Sequence, residues 1–164
     1  YRAWTVILAL GRRGTPRKLG IPGEELPKVM YSLLDAEAYT GAKILVVGGG
    51  DSAVETALGL AYQKGNRVTL SYRGAAFTRI KERNAQRLRQ EGRIDVILNS
   101  QPKEVRERSV LLDVAGAVRE IPNDYVWVFA GGTPPNEFLA KAGVRLGTQD
   151  LTTAVREAAT AAGR

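Results

Sequence analysis

Residues 43–53 read Lys43, Ile44, Leu45, Val46, Val47, Gly48, Gly49, Gly50, Asp51, Ser52, Ala53. Ile44 to Val47 is a short apolar run of the kind that a parallel strand buried on both faces requires. Gly48, Gly50 and Ala53 then fill the three small positions of a G-x-G-x-x-G/A turn. Beyond the turn, Ala53, Val54, Ala57, Leu58 and Ala61 recur at helical spacing. A strand, a glycine turn and a helix in this order aim backbone N–H groups and the positive end of the helix at an anion. On this reading Gly48 permits the tight turn and Gly50 lets a diphosphate approach the backbone. Ala53 lets the helix pack close to the strand.

Three consecutive glycines also suit a plain loop between strand and helix. The strand immediately before and the helix immediately after favour a dinucleotide site. A second strand-like run, Arg67 to Tyr72, follows at the distance of the next parallel strand. An Asp or Glu at its end would bind a ribose 2′-OH and indicate NAD; the residues here are Ser71, Tyr72 and Arg73, with Arg79 and Lys81 close behind. Cations suit a 2′-phosphate, so the sequence favours NADPH over NADH. The plain alternative for Arg73 is a solvated arginine at a strand end.

Composition narrows the chemistry. The 164 residues suit one domain with a real core, and 44% hydrophobic with 25% charged residues is an ordinary globular mixture. No apolar stretch has the length of a membrane span and no signal peptide is visible, so a cytoplasmic location is expected. The absence of cysteine removes disulfides, thiolate metal sites and any dithiol redox pair. Histidine, the commonest general base and metal ligand, is also absent. The chain therefore offers no obvious catalytic or metal-ligating group, and its chemistry is expected from a cofactor. It opens at Tyr1 without a methionine and moves at once into the apolar run Thr5 to Leu10, as a piece of a longer polypeptide would.

The net charge is +7 and the isoelectric point about 9.9. Arg73, Arg79, Lys81, Arg83, Arg87, Arg89 and Arg93 supply much of the excess in one stretch. Such a patch can serve nucleic acid, but no aromatic platform or helix-turn-helix pattern accompanies it. A solvated helix face beside cofactor phosphates is the preferred reading, with no nucleic-acid partner.

Along the chain, residues 4–10 read as a strand and 11–28 as an extended connection rich in Gly and Pro. Residues 29–39 read as a short helix packing Leu33, Leu34 and Ala38. Then come a strand at 43–47, a helix at 51–64, a strand at 67–72, a helix at 79–90 and a strand at 94–98. Residues 104–108, 110–114 and 117–121 read as an antiparallel meander, 125–130 as an apolar strand, and 151–162 as an Ala-rich helix. Phe138, Leu139 and Ala142 suggest a short helix or turn. The fold class is α/β: a three-layer, Rossmann-like domain with a parallel sheet and a small antiparallel β-meander.

Four stretches now fit one family in order: Val6 to Gly11, Leu19 to Glu24, Val46 to Glu55, and Asp124 to Asn136. Over about residues 5 to 147 the chain resembles the NADPH domain of the two-dinucleotide-fold flavoproteins, the pyridine nucleotide–disulfide oxidoreductase superfamily, in its thioredoxin-reductase-like branch. The resemblance implies an NAD(P)H-binding domain at 1–147, with pieces of the connections to an FAD domain, and a helical tail at 148–164. It implies that Gly48, Gly49, Gly50 and Ala53 frame the pyrophosphate, with Asp51 and Ser52 at the helix start. Ser71, Tyr72 and Arg73 would surround the adenosine ribose, Arg73 falling on a 2′-phosphate arginine. The family often places a second arginine next; here it is Gly74, which leaves part of the grip to Arg79 or Lys81. Ala130, Gly131 and Gly132 align with a turn near the nicotinamide half.

The largest departure is the missing Cys-x-x-Cys, whose region holds Tyr31 to Ala36, so a protein disulfide cannot be reduced through this domain. Relatives without the pair include ferredoxin–NADP reductases of this type. The expected role is to position the nicotinamide for hydride transfer to flavin, as part of an enzyme whose isolated fragment is inactive. FAD belongs to the full-length protein and is not expected on this fragment. The partners are its own FAD domain and an electron acceptor that the sequence does not name. A fragment cut from that domain would expose apolar surface near residues 4–11 and 124–138, which could form a homodimer. A non-enzymatic nucleotide-sensing module on the same fold stays open. A stand-alone NADP-dependent dehydrogenase is disfavoured, because the chain has neither a Tyr-x-x-x-Lys pair nor a histidine for proton transfer.

Overall fold

A computed structural model describes residues 3, 7, 15–133 and 136–144. Apart from residue 7, the expected strand at 4–10 lies outside the described residues, as do the tail helix at 151–162 and the boundary at 147. The chain divides into two compact units, Pro16–Thr133 and a second formed by Tyr1–Thr15 with Pro134–Arg164.

The elements run β1 (Thr15–Pro16), β2 (Val29–Met30), β3 (Lys43–Val47), α1 (Asp51–Ala61), β4 (Arg67–Ser71), α2 (Glu82–Gln90) and β5 (Ile94–Ile97). They continue with β6 (Ser100–Val105), β7 (Ser109–Val114), β8 (Ala117–Pro122), β9 (Tyr125–Val128), β10 (Gly132–Thr133) and α3 (Asn136–Lys141). In the larger unit, five strands form a sheet in the order β2-β9-β3-β4-β5, and each neighbouring pair is parallel. Strands β6, β7 and β8 form a separate antiparallel meander. In the smaller unit the described helix is α3, on which Phe138 is 57% exposed.

The period-2 alternation of side chains on each strand builds three layers. Ile44, Val46, Val68, Leu70 and Trp127 face the helices, where they meet Ala53, Val54, Ala57, Leu58, Leu60 and Ala61 of α1 and Leu88 of α2. Leu45, Val47, Val126 and Val128 face the other way, onto Val105 and Val110 of the meander. Because β3 is covered on both faces, its four apolar residues are all buried. Each such aliphatic side chain contributes roughly 1.5–3 kcal/mol through burial.

Helix α1 stops at Ala61, short of the expected 64. The Asn66 side chain accounts for the stop: its Nδ2 donates to the Leu60 carbonyl (2.9 Å) and the Tyr39 carbonyl (2.8 Å), and its Oδ1 accepts from Ala42 N–H (3.0 Å). One amide thus closes the helix and leads the chain into β3.

Three expectations are corrected. Residues 29–39 form no helix: Val29 and Met30 pair with Val126 and Trp127 as an edge strand, turns follow, and Leu34 is 98% exposed. Helix α2 begins at Glu82 rather than 79, because the preceding residues form an extended bridge between Arg79 and Gly50. The apolar exposure expected near 124–138 is confined to its end: Phe138 is exposed, whereas Val126, Trp127 and Val128 are core residues of an interior strand.

No helix among the described residues is long and apolar enough to cross a membrane.

Candidate functional site

The register of the sheet sets the site. Val47 lies level with Ser71 on β4 and with Val128 on β9, so the chain leaves all three strands at one edge. Gly48 N–H donates to the Ser71 carbonyl (2.9 Å), and Phe129 N–H donates to the Val47 carbonyl (2.7 Å), which extends the sheet one residue into the turn. Gly48 has φ +151, and a Cβ there would lie 2.7 Å from the Phe129 carbonyl oxygen and 2.9 Å from Ala53 Cβ. Only glycine fits between strand and helix at that point.

Gly49 has a different constraint. A Cβ on it would run into the ring of Tyr72. At Gly50 nothing lies within 4 Å of where a Cβ would be. Gly50 is also the N-cap of α1, in extended conformation (φ −108, ψ 176), and no side chain caps the helix there. No side chain therefore hydrogen-bonds the first amides of α1; the first-turn carboxylate, Asp51, is bonded to Lys81 and Asn84 instead, and the space beside Gly50 is open.

That space belongs to a cleft of about 420 Å³. Of the residues singled out by sequence, Gly48, Gly49, Gly50, Tyr72, Arg73, Arg79, Ala130 and Gly131 line it. The remaining six lie elsewhere. Ala53 is fully buried behind the turn, where it permits the close approach of helix and strand. Ser71 is fully buried and shares a 2.8 Å hydrogen bond with the Ser100 hydroxyl, because it falls on the meander side of β4. Asp51 turns its carboxylate to α2, accepting from Lys81 N–H (2.9 Å) and Asn84 Nδ2 (2.7 Å). These hydrogen bonds hold the Asp51 carboxyl below the usual carboxylate range, the Lys81 amide contributing most. Lys81 is the N-cap of α2. Ser52 is exposed and lines a separate shallow hollow with Tyr31, Glu55 and Phe129. Gly132 sits in β10, one residue past the cleft.

The Asp51 network has a member that sequence did not suggest. Asn84 is 3% exposed, and its Nδ2 donates both to Asp51 and to Glu55 Oε1 (2.9 Å), fastening the start of α2 to α1. Arg79, which precedes α2 and bridges Gly50, is thereby held at the mouth of the turn.

Tyr72 accounts for the glycine at position 74. Its ring stacks on Phe77 (centroids 5.1 Å apart, planes within 10°) and fills the space beside Gly74, where a Cβ would lie 2.7 Å from the ring. A second arginine at 74 is thus sterically incompatible with a tyrosine ring in this position.

Five lining residues were not anticipated: Arg17, Leu19, Thr78, Gln101 and Phe129. Phe129 and Thr78 adjoin predicted positions. Arg17 and Leu19 come from the connection before β2, which reaches the cleft through Arg17 N–H donating to the Gly131 carbonyl (2.9 Å). Glu24 fixes the next turn of this strap. Its carboxylate accepts from Leu19 N–H (2.6 Å), Gly20 N–H (2.7 Å) and the Tyr31 hydroxyl (2.7 Å). Burial pushes the Glu24 carboxyl up, but these donors, with the Ile21 amide, together outweigh it and hold the carboxyl below its ordinary value. Tyr31 is pushed up to about 12 by burial and by its bond to Glu24.

The chain belongs to the family described as pyridine nucleotide-disulphide oxidoreductase, whose pattern matches residues 1–160. It is 35% identical over 158 residues to a ferredoxin–NADP reductase of Ignicoccus hospitalis, covering 92% of this chain and 51% of the relative. It is 32% identical over 145 residues to the bacilliredoxin reductase Bdr of Bacillus subtilis, covering 85% of this chain and 44% of the relative. The solved bacillithiol disulfide reductase Bdr of Bacillus cereus superposes with a TM-score of 0.74 at 32% identity, over 82% of this chain and 43% of that one. The chain therefore spans about half the length of the curated relatives it matches.

Proposed function

We propose that this chain is the NAD(P)H-binding domain of an FAD-dependent oxidoreductase and that it positions the nicotinamide for hydride transfer to flavin. The observation that carries the reading is the open space at Gly50. A helix N-terminus that no side chain caps looks into a cleft rimmed by Arg73 and Arg79. A diphosphate there accepts from backbone amides, and the glycine turn admits it with no side chain in the way. Arg73, at the end of β4, is the candidate for the adenosine 2′-phosphate, with Arg79 beside it. Ala130 and Gly131, at the end of β9, form the side on which the nicotinamide half would lie.

The residues that line the cleft include no carboxylate and no lysine, and the chain contains no histidine. The domain thus contributes binding and orientation, while the bound nicotinamide supplies the hydride. The names of the relatives support a reductase, that of the ferredoxin–NADP reductase one using NADP, and their greater length leaves room for the FAD domain that would receive the hydride.

Titration of the 164-residue chain with NADPH and NADH, followed by calorimetry, tests this reading. Saturable one-to-one binding, tighter for NADPH, is expected. Arg73→Gln should weaken NADPH by about tenfold, the scale of one charge-assisted hydrogen bond, and leave NADH nearly unchanged. Lack of saturable binding of either nucleotide refutes the reading.

A further inference from the structure

We infer that Arg17 is a diphosphate-binding residue, which closes on the nicotinamide-side phosphate from the edge of the cleft opposite Arg73. The inference rests on the nucleotide-domain reading and adds a ligand to it from outside the glycine turn. Three arginines line the cleft: Arg17, Arg73 and Arg79. The sheet order separates them. Arg73 follows β4, while Arg17 is bonded to Gly131 just past β9, and β4 and β9 flank β3 on opposite sides. Gly50, with open space above it, lies at the end of β3 between the two edges. A molecule running across the turn from the β4 edge to the β9 edge meets Arg73 first, the α1 N-terminus next and Arg17 last.

This order matches the charges of a phosphorylated dinucleotide. The 2′-phosphate lies at the adenosine end, and the diphosphate sits in the middle, with one phosphate on the nicotinamide side. A cation on the β9 edge is in reach of that second phosphate and on the wrong side for the 2′-phosphate.

Arg17 is also held ready for the task. Its backbone, not its side chain, is tied to Gly131 (2.9 Å). The strap that follows is pinned by the Glu24 carboxylate through the amides of Leu19 (2.6 Å) and Gly20 (2.7 Å). The side chain is exposed and joins no ion pair among the described residues. With its backbone already fixed, Arg17 gives up only side-chain freedom when its guanidinium closes on a phosphate.

The test uses the 164-residue chain and its Arg17→Gln and Arg17→Lys variants, titrated with NADPH, NADH, ADP and AMP. The inference expects Arg17→Gln to weaken NADPH and NADH alike, by about tenfold or more, as for one lost charge-assisted contact. ADP should weaken in parallel and AMP should not, because only ADP carries the second phosphate. Arg17→Lys should recover part of the loss, and the unfolding midpoint should not move, since the anchoring bonds are made by backbone. Unchanged binding of all four ligands overturns the inference. So does a loss confined to NADPH, which would place Arg17 on the 2′-phosphate, or an equal loss for AMP. Failure of the unsubstituted chain to bind any nucleotide is a separate result, which removes the domain reading itself.

Discussion

At the β3–α1 turn the cleft is built from what side chains leave out, whereas at the end of β4 it is built from what they supply. Gly48 is excluded from carrying a side chain by Phe129 and Ala53, and Gly49 by Tyr72, while at Gly50 nothing occupies the space. The first two absences are imposed by packing. The third is not, and on the proposed reading it leaves room for a diphosphate. Across the cleft, Tyr72 is clamped between glycines and stacked on Phe77, while Arg73 and Arg79 stand exposed beside it. On the proposed reading, the turn governs whether a diphosphate can bind, and the β4 edge governs which nucleotide is preferred.

The largest effect on stability is expected at Gly48. Gly48→Ala combines a backbone conformation unfavourable to L-residues with overlap on the Phe129 carbonyl. The sum is roughly 2–5 kcal/mol of lost stability. Denaturant unfolding should show it directly, and a variant as stable as the parent would mean that the turn is not packed as described.

A smaller effect, which probes the other edge, is expected at Gly74. Gly74→Ala should cost about 1–3 kcal/mol by crowding the Tyr72 ring. In a Tyr72→Ser background the same change should cost almost nothing. A double-mutant cycle reads this coupling, and additive costs would separate Tyr72 from the identity of residue 74.

The smallest effect concerns the strap at Glu24 and appears only as a pH dependence. The folded-state pKa of Glu24 is lowered, so its contribution is present above the unfolded carboxylate pKa and is lost as pH falls through the lower folded value. Thermal midpoints recorded from neutral pH down through about pH 4, the carboxylate range, should fall less steeply in Glu24→Gln than in the parent. Equal slopes would show that Glu24 is not engaged by the Leu19 and Gly20 amides.

The turn was legible in the sequence because strand, glycines and helix are adjacent there and each is fixed by local pattern. The parallel sheet follows from the apolar runs at 43–47, 67–72 and 125–130, and two meander strands from the runs at 110–114 and 117–121, while the first meander strand is Ser100–Val105 rather than the expected 104–108. Residues 29–39 read as a helix because Leu33, Leu34 and Ala38 have helical spacing, whereas long-range pairing of Val29 and Met30 with β9 decides the conformation. The Ser71 side chain lies away from the cleft for a related reason. Its position beside Arg73 suggested the ribose, but its side chain faces Ser100 inside the unit. Arg17 carries no local motif. Over a hundred residues separate it from Gly131, and only the backbone bond between them brings it to the cleft.

Gly50→Asp bears most directly on the claim that the helix N-terminus is kept open for a diphosphate. Its extended backbone (φ −108, ψ 176) is that of an ordinary N-cap, and a side chain meets nothing within 4 Å. The account predicts that the variant unfolds at the same midpoint or higher, its carboxylate capping α1, while saturable binding of both NADPH and NADH disappears. A variant that folds as well and still binds either nucleotide as tightly as the parent would contradict it.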